Sequence, residues 1–241
     1  MTALAVAAAA LFGLLAGRYV REFARRYGPH KGGPAPGDGG GAGPLEQGAE
    51  DPGPGALGTL RAVARTVPVP AWPPTVEAAT AAVCGAVAWR LAGESGWLLA
   101  AWLYLAVAGM ALAVVDWRTH RLPDAVTLPS YPVLLGMLAP SGALPPALAG
   151  MLALGAIYAV LWLVRPDALG LGDVKLAGLI GLVTGALGPQ PWITAAAGGH
   201  LLGAAYAIGL LATRRGTLRS EFPFGPFMLA AALAALLLPY P

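Results

Sequence analysis

Apolar blocks separated by short polar joints make up most of the chain, with one long interruption. The first block, residues 1–20, runs into a basic tail, RYVREFARRY, that continues as a helix along an anionic membrane surface. From 28 to 70 glycine and proline dominate, and neither a period of 2 nor one of 3.6 survives. That stretch reads as a Gly/Pro-rich cytoplasmic linker or disordered loop, with a short helix near 57–65. Seven more blocks follow at about 76–91, 97–115, 125–139, 144–164, 174–187, 192–212 and 224–238. Several are shorter than the roughly 20 residues of a perpendicular span. The 174–187 block is the shortest, and an earlier start would carry part of the preceding LGLGD turn to membrane depth.

Composition turns these blocks into membrane helices. Of 241 residues 57% are hydrophobic and 11% charged, where a soluble domain carries roughly 25% charged residues. So few charges cannot cover a soluble surface, and long blocks of leucine, valine and tryptophan exclude a disordered chain. The expected fold is all-α: a polytopic membrane bundle of about eight transmembrane helices. Its domains are a first helix with a basic extension (1–27), the linker (28–70) and a seven-helix membrane domain (71–241).

The net charge of +3 marks topology rather than a partner. The basic residues sit between blocks and form no nucleic-acid-binding patch. With the N-terminus outside and the spans alternating, 14 of the 15 basic residues fall on the cytoplasmic side, leaving Arg90 alone outside. Arg18, Arg21, Arg25 and Arg26 follow the first apolar block instead of preceding it, so that block reads as a retained helix and not a signal peptide. One cysteine, Cys84, permits neither an intramolecular disulfide nor a cysteine-based zinc site and reads as a small filler.

Two carboxylates stand out. Asp116 abuts VAGMALAVV with no polar buffer, and Asp173 lies in LGLGDVK between Gly170, Gly172 and Val174. The proposed topology puts both on the cytoplasmic side, and the small residues of AGLIGLVTGALG allow close helix approach. Glycines beside Asp173 allow tight backbone geometry. Two carboxylates a few ångströms apart repel by on the order of 4 kcal/mol at an effective dielectric of 20, so the pair shares one proton. Such a pair does aspartyl proteolysis: one member takes a proton from water, the other donates to the carbonyl oxygen. The bland alternative is that each aspartate caps a helix in headgroup water. Asp124, after Pro123, fits that reading as an acidic cap, and Asp167 reads as a turn residue.

Other chemistries fit less well. His30 lies in the linker and His120 in a basic turn, while His200 stands alone in an apolar span and reads as a satisfied core residue. A metal site from Asp116, His120, Asp124 and Asp173 is opposed by the interleaved Arg118 and Arg121. No phosphate loop or dinucleotide fingerprint is present, and no cofactor or metal is expected.

Three segments resemble those of the prepilin peptidases, or type IV leader peptidases. VVDWRTHRLPDAVTLP is similar to the first aspartate segment and LGLGDVKLAGLIG to the GxGD segment with its lysine, here Lys175. FPFGPFMLAAAL resembles the stretch before the last helix, with Pro223, Phe224, Gly225, Pro226 and Phe227. The resemblance covers about 97–238. It implies that Asp116 and Asp173 are the catalytic pair, with Lys175 and Phe224 to Phe227 supporting. The second acidic position of the first segment is often Asn in the family, which favours Asp116 over Asp124. The implied activity is a membrane aspartic endopeptidase that cuts the short basic leader of prepilin or pseudopilin precursors just before their apolar helix. Its place would be the inner (plasma) membrane, with the site facing the cytoplasm. Many family members carry paired Cys-x-x-Cys motifs between the first two helices and methylate the new N-terminus. The 28–70 stretch has no cysteine, which excludes a cysteine-held zinc domain there and puts methyl transfer in doubt.

Three rival readings remain: a presenilin-like GxGD intramembrane protease, a small proton-coupled transporter and a pilus-assembly membrane scaffold. The Asp-Trp and Leu-Pro-Asp setting of Asp116 departs from the Tyr-Asp of the first rival.

Overall fold

A computed structural model describes residues 2–27, 74–166, 169–214 and 222–240. The linker, with the short helix expected in it, and Asp167 lie outside the described residues.

Eight α-helices form among them: α1 (Thr2–Arg26), α2 (Thr75–Arg90), α3 (Gly96–Thr119), α4 (Asp124–Leu138), α5 (Leu144–Val164), α6 (Leu171–Gly185), α7 (Pro189–Ala212) and α8 (Gly225–Leu237). Each coincides with one apolar block. Four of them, α1, α3, α5 and α7, are long and apolar enough to cross a membrane. The result is a helical membrane bundle, with large apolar side chains such as Leu152, Leu163, Leu201 and Ile208 turned outward, as lipid contact requires.

The helix starts at Leu171, so Gly172 and Asp173 belong to the first turn of α6, the earlier start that the shortness of the block allowed. The small residues of α6 serve close helix approach: every residue from Leu176 to Gly185 is buried, making α6 the centre of the bundle. α5, α7, α4 and α8 pack around it.

Glycine explains how α6 is enclosed. A Cβ at Gly150 of α5 would clash with the carbonyl oxygen of Gly181 and stand 2.8 Å from the Gly185 Cα. Without those side chains the two backbones touch, the close approach that small residues allow in membranes. α1 docks on α2 in the same way: a Cβ at Gly13 would meet the Cys84 Cβ at 2.9 Å, and one at Gly17 the Glu77 Cα at 2.6 Å. Cys84 is therefore buried filler at that contact. The Arg21–Glu77 ion pair links the two helices.

Candidate active site

Asp116 lies in the last turn of α3, where the partial negative charge of a helix C-terminus disfavours a carboxylate. It is nonetheless only 4% exposed. What compensates is the N-terminus of α8. The Gly225 amide, which has no partner within its own helix, donates to Asp116 Oδ2 at 3.0 Å. The adjoining Pro226 has no N–H to satisfy. Only glycine fits at 225, because a Cβ there would stand 2.8 Å from the same carboxylate oxygen.

Asp173 is half-buried in the first turn of α6, ahead of the apolar run that begins at Val174. Its Oδ2 accepts the Gly170 amide at 3.2 Å, the one half of a capping box that a glycine N-cap permits. The two predicted aspartates, distant in sequence, come within electrostatic reach of each other at one end of the bundle.

The chain between them closes this corner. His120 turns the backbone at the end of α3 in a left-handed conformation (φ 50°). Leu122 then wedges into the site: a Cβ at Gly172 would stand 2.9 Å from the Leu122 Cβ, and one at Gly225 would stand 3.5 Å from its Cδ2. Leu122 touches both glycine positions, and the sequence reading missed it. Gly170 is extended (φ −77°, ψ 149°), so glycine is used at 172 for close approach and at neither position for unusual dihedrals.

Asp124 does not cap α4. Pro123 is the N-cap residue, no side-chain cap forms, and Asp124 Oδ1 accepts Lys175 Nζ at 2.6 Å. This ion pair ties the start of α4 to the start of α6. The Tyr131 hydroxyl strengthens the tie by donating to the Lys175 carbonyl at 2.7 Å. Lys175 thereby acquires a role that the sequence did not indicate. Among the described residues no group of three or more His, Cys, Asp or Glu side chains is placed to hold a metal. The mixed set weighed from sequence does not assemble.

His200 is exposed and is not the core residue expected, although its ring has neighbours. Its ring lies 5.2 Å from Tyr158 and 5.5 Å from Phe224, and its Nδ1 sits 3.0 Å from the Ala196 carbonyl. Tyr158, also unnoticed in the sequence, is buried within electrostatic reach of Asp173. Phe224 fits over Gly203, where a Cβ would come within 2.8 Å of its ring. Phe227 packs against Trp117 and Tyr206. Pro223 is buried. The C-terminal segment therefore presents Gly225 to Asp116 and anchors the presentation with phenylalanines on either side.

Residues 97–239 match the model of the type IV leader peptidase family. The prepilin leader peptidase/N-methyltransferase of Burkholderia pseudomallei (strain K96243) is 38% identical over 184 residues, covering 70% of this chain and 55% of the relative. Proteins of the same description from Aeromonas hydrophila and Pseudomonas aeruginosa are 34% and 30% identical, covering 70% and 68% of this chain and 59% and 57% of their own length. The chain thus spans little more than half the length of these relatives. No solved structure matches it.

Proposed function

The chain belongs to the type IV leader peptidase family, and on that premise we propose that it is a membrane-embedded aspartic endopeptidase acting on prepilin-like precursors. The observation that carries the proposal is the Asp116–Gly225 hydrogen bond, with Leu122 packed against both Gly225 and the Gly172 that adjoins Asp173. Three separate motif segments converge there on one pair of carboxylates.

The pair shares one proton. Each carboxyl faces a backbone amide and a helix N-terminus, and we assign the resting charge to Asp116 and the proton to Asp173. Asp116 removes a proton from water, the hydroxide adds to the scissile carbonyl carbon, and Asp173 gives its proton to the carbonyl oxygen. In collapse, Asp116 returns its proton to the leaving nitrogen while Asp173 recovers the hydroxyl proton. No covalent intermediate forms.

The topology we propose has eight spans, an external N-terminus and the carboxylates at the cytoplasmic face of the inner membrane. The basic-residue distribution supports it, and leader cleavage ahead of an apolar helix calls for a site at that boundary. The proposal covers leader removal and not methyl transfer.

Co-expression with a candidate prepilin tests the activity: Asp116→Asn and Asp173→Asn must each leave the precursor uncut, and processing by either variant refutes the pair. Reporter fusions after Val115 and within 168–172 test the topology, since reporters on opposite sides of the membrane would refute it.

A further inference from the structure

The far end of the bundle holds a second polar site. Asp116, Asp173 and Gly225 lie at the C-terminus of α3 and the N-termini of α6 and α8. At the opposite ends, beyond the C-termini of α2, α6 and α8, a cavity of about 280 Å³ is lined by Arg90, Glu94, Gln190 and Tyr240, with Leu91 and Leu236 as apolar walls. That volume is close to the ~300 Å³ at the lower end of small-ligand sites.

Three observations mark it as built to bind. Arg90 is the one basic residue that the charge distribution leaves off the cytoplasmic side, against the bias governing the other 14. Arg90 and Glu94 are opposite charges four residues apart, yet among the described residues neither forms an ion pair. The Tyr240 hydroxyl is buried with no hydrogen-bond partner among the described residues, a state that costs about 1–3 kcal/mol if left unmet. A guanidinium, a phenol and an amide offer donors to a phosphate, and Glu94 offers an acceptor to an ammonium.

We propose that this cavity binds the headgroup of a zwitterionic aminophospholipid. Arg90 and Tyr240 hold the phosphate and Glu94 accepts from the primary ammonium. The apolar walls face the first methylenes of the lipid. Helix ends are where headgroups lie, and arginine is the side chain best suited to phosphate there.

Thermal melting of the purified full chain in detergent tests this, because a ligand of the folded state raises the melting temperature. Dihexanoyl-phosphatidylethanolamine is expected to raise it saturably. The phosphatidylcholine analogue, which lacks N–H donors, should bind about tenfold more weakly, and inorganic phosphate should give no shift at the same concentrations. Arg90→Gln should weaken phosphatidylethanolamine binding at least about tenfold, and Glu94→Gln should erase the preference over phosphatidylcholine. Should Arg90→Gln fail to fold, the exposed Glu94→Gln tests headgroup selectivity on its own. The proposal is overturned if phosphatidylethanolamine gives no shift, if inorganic phosphate matches the lipid, or if the selectivity of Glu94→Gln equals that of wild type.

Discussion

The two aspartates occupy opposite electrostatic situations. Asp173 sits at the positive end of its own helix and caps it through Gly170, three residues away. Asp116 sits at the negative end of its own helix and is satisfied by the start of another, 109 residues away. The first arrangement is local to the start of α6. The second exists only once α3 and α8 are packed, so the Asp116 half of the site is a product of assembly. A carboxylate placed against its own helix dipole needs such an outside donor, and the Pro-Phe-Gly-Pro segment supplies it.

The largest expected effect would erase the difference. In the proposed mechanism each carboxylate is indispensable, so Asp116→Asn and Asp173→Asn should each lower leader removal by at least ~10²–10⁴-fold. A gel assay resolving precursor from mature product reads this, and a variant with near-normal processing would show that only one half-site acts.

The next prediction separates the halves. Gly225→Ala puts a Cβ 2.8 Å from Asp116 Oδ2, whereas Gly170→Ala puts one 3.5 Å from Asp173 Oδ2, an ordinary contact. Gly225→Ala should cost about 10–100-fold in kcat, the equivalent of one charge-assisted hydrogen bond. Gly170→Ala should stay within about threefold, a cost under ~1 kcal/mol. Equal losses would mean that the Gly225 amide has no special part.

The pH dependence sharpens the same contrast. The mechanism needs Asp173 protonated and Asp116 ionised, so the rate should fall on both sides of an optimum, at acid pH as Asp116 takes up a proton and at alkaline pH as Asp173 loses its own. Each limb should approach roughly tenfold per unit, the limiting slope for one proton. A profile flat from pH 5 to 8, measured on detergent-solubilised protein, would contradict the assignment.

The smallest effect concerns the Lys175–Asp124 tie, which is partly exposed. Lys175→Met should destabilise by under ~1 kcal/mol and change activity little. A charge-exchanged pair, Lys175→Asp with Asp124→Lys, should restore the melting temperature. A loss comparable to that of Gly225→Ala would place Lys175 in the chemistry instead.

Much of this was legible in the chain. The eight helices follow from apolar blocks, because a backbone in lipid must satisfy its hydrogen bonds within each segment. Asp116 and Asp173 stand out as candidates because carboxylates beside uninterrupted apolar runs are costly and few. The cap on Asp173 is local, and its partner is visible in LGLGD. Hydrophobicity, however, cannot distinguish lipid from protein interior. For that reason the full enclosure of α6, when its neighbour α7 has only four buried residues, was not readable from two similarly apolar, small-residue-rich stretches. Leu122, Tyr131 and Tyr158 were equally silent, since a leucine or tyrosine in a membrane helix is unremarkable until its neighbours are known. The sequence by itself determined which segments are helical and which acidic groups lie beside them, because those follow from interactions within a few residues. Only the tertiary structure decided that the amide of Gly225 meets Asp116, because that bond requires two helices to pack so closely that no side chain fits between them.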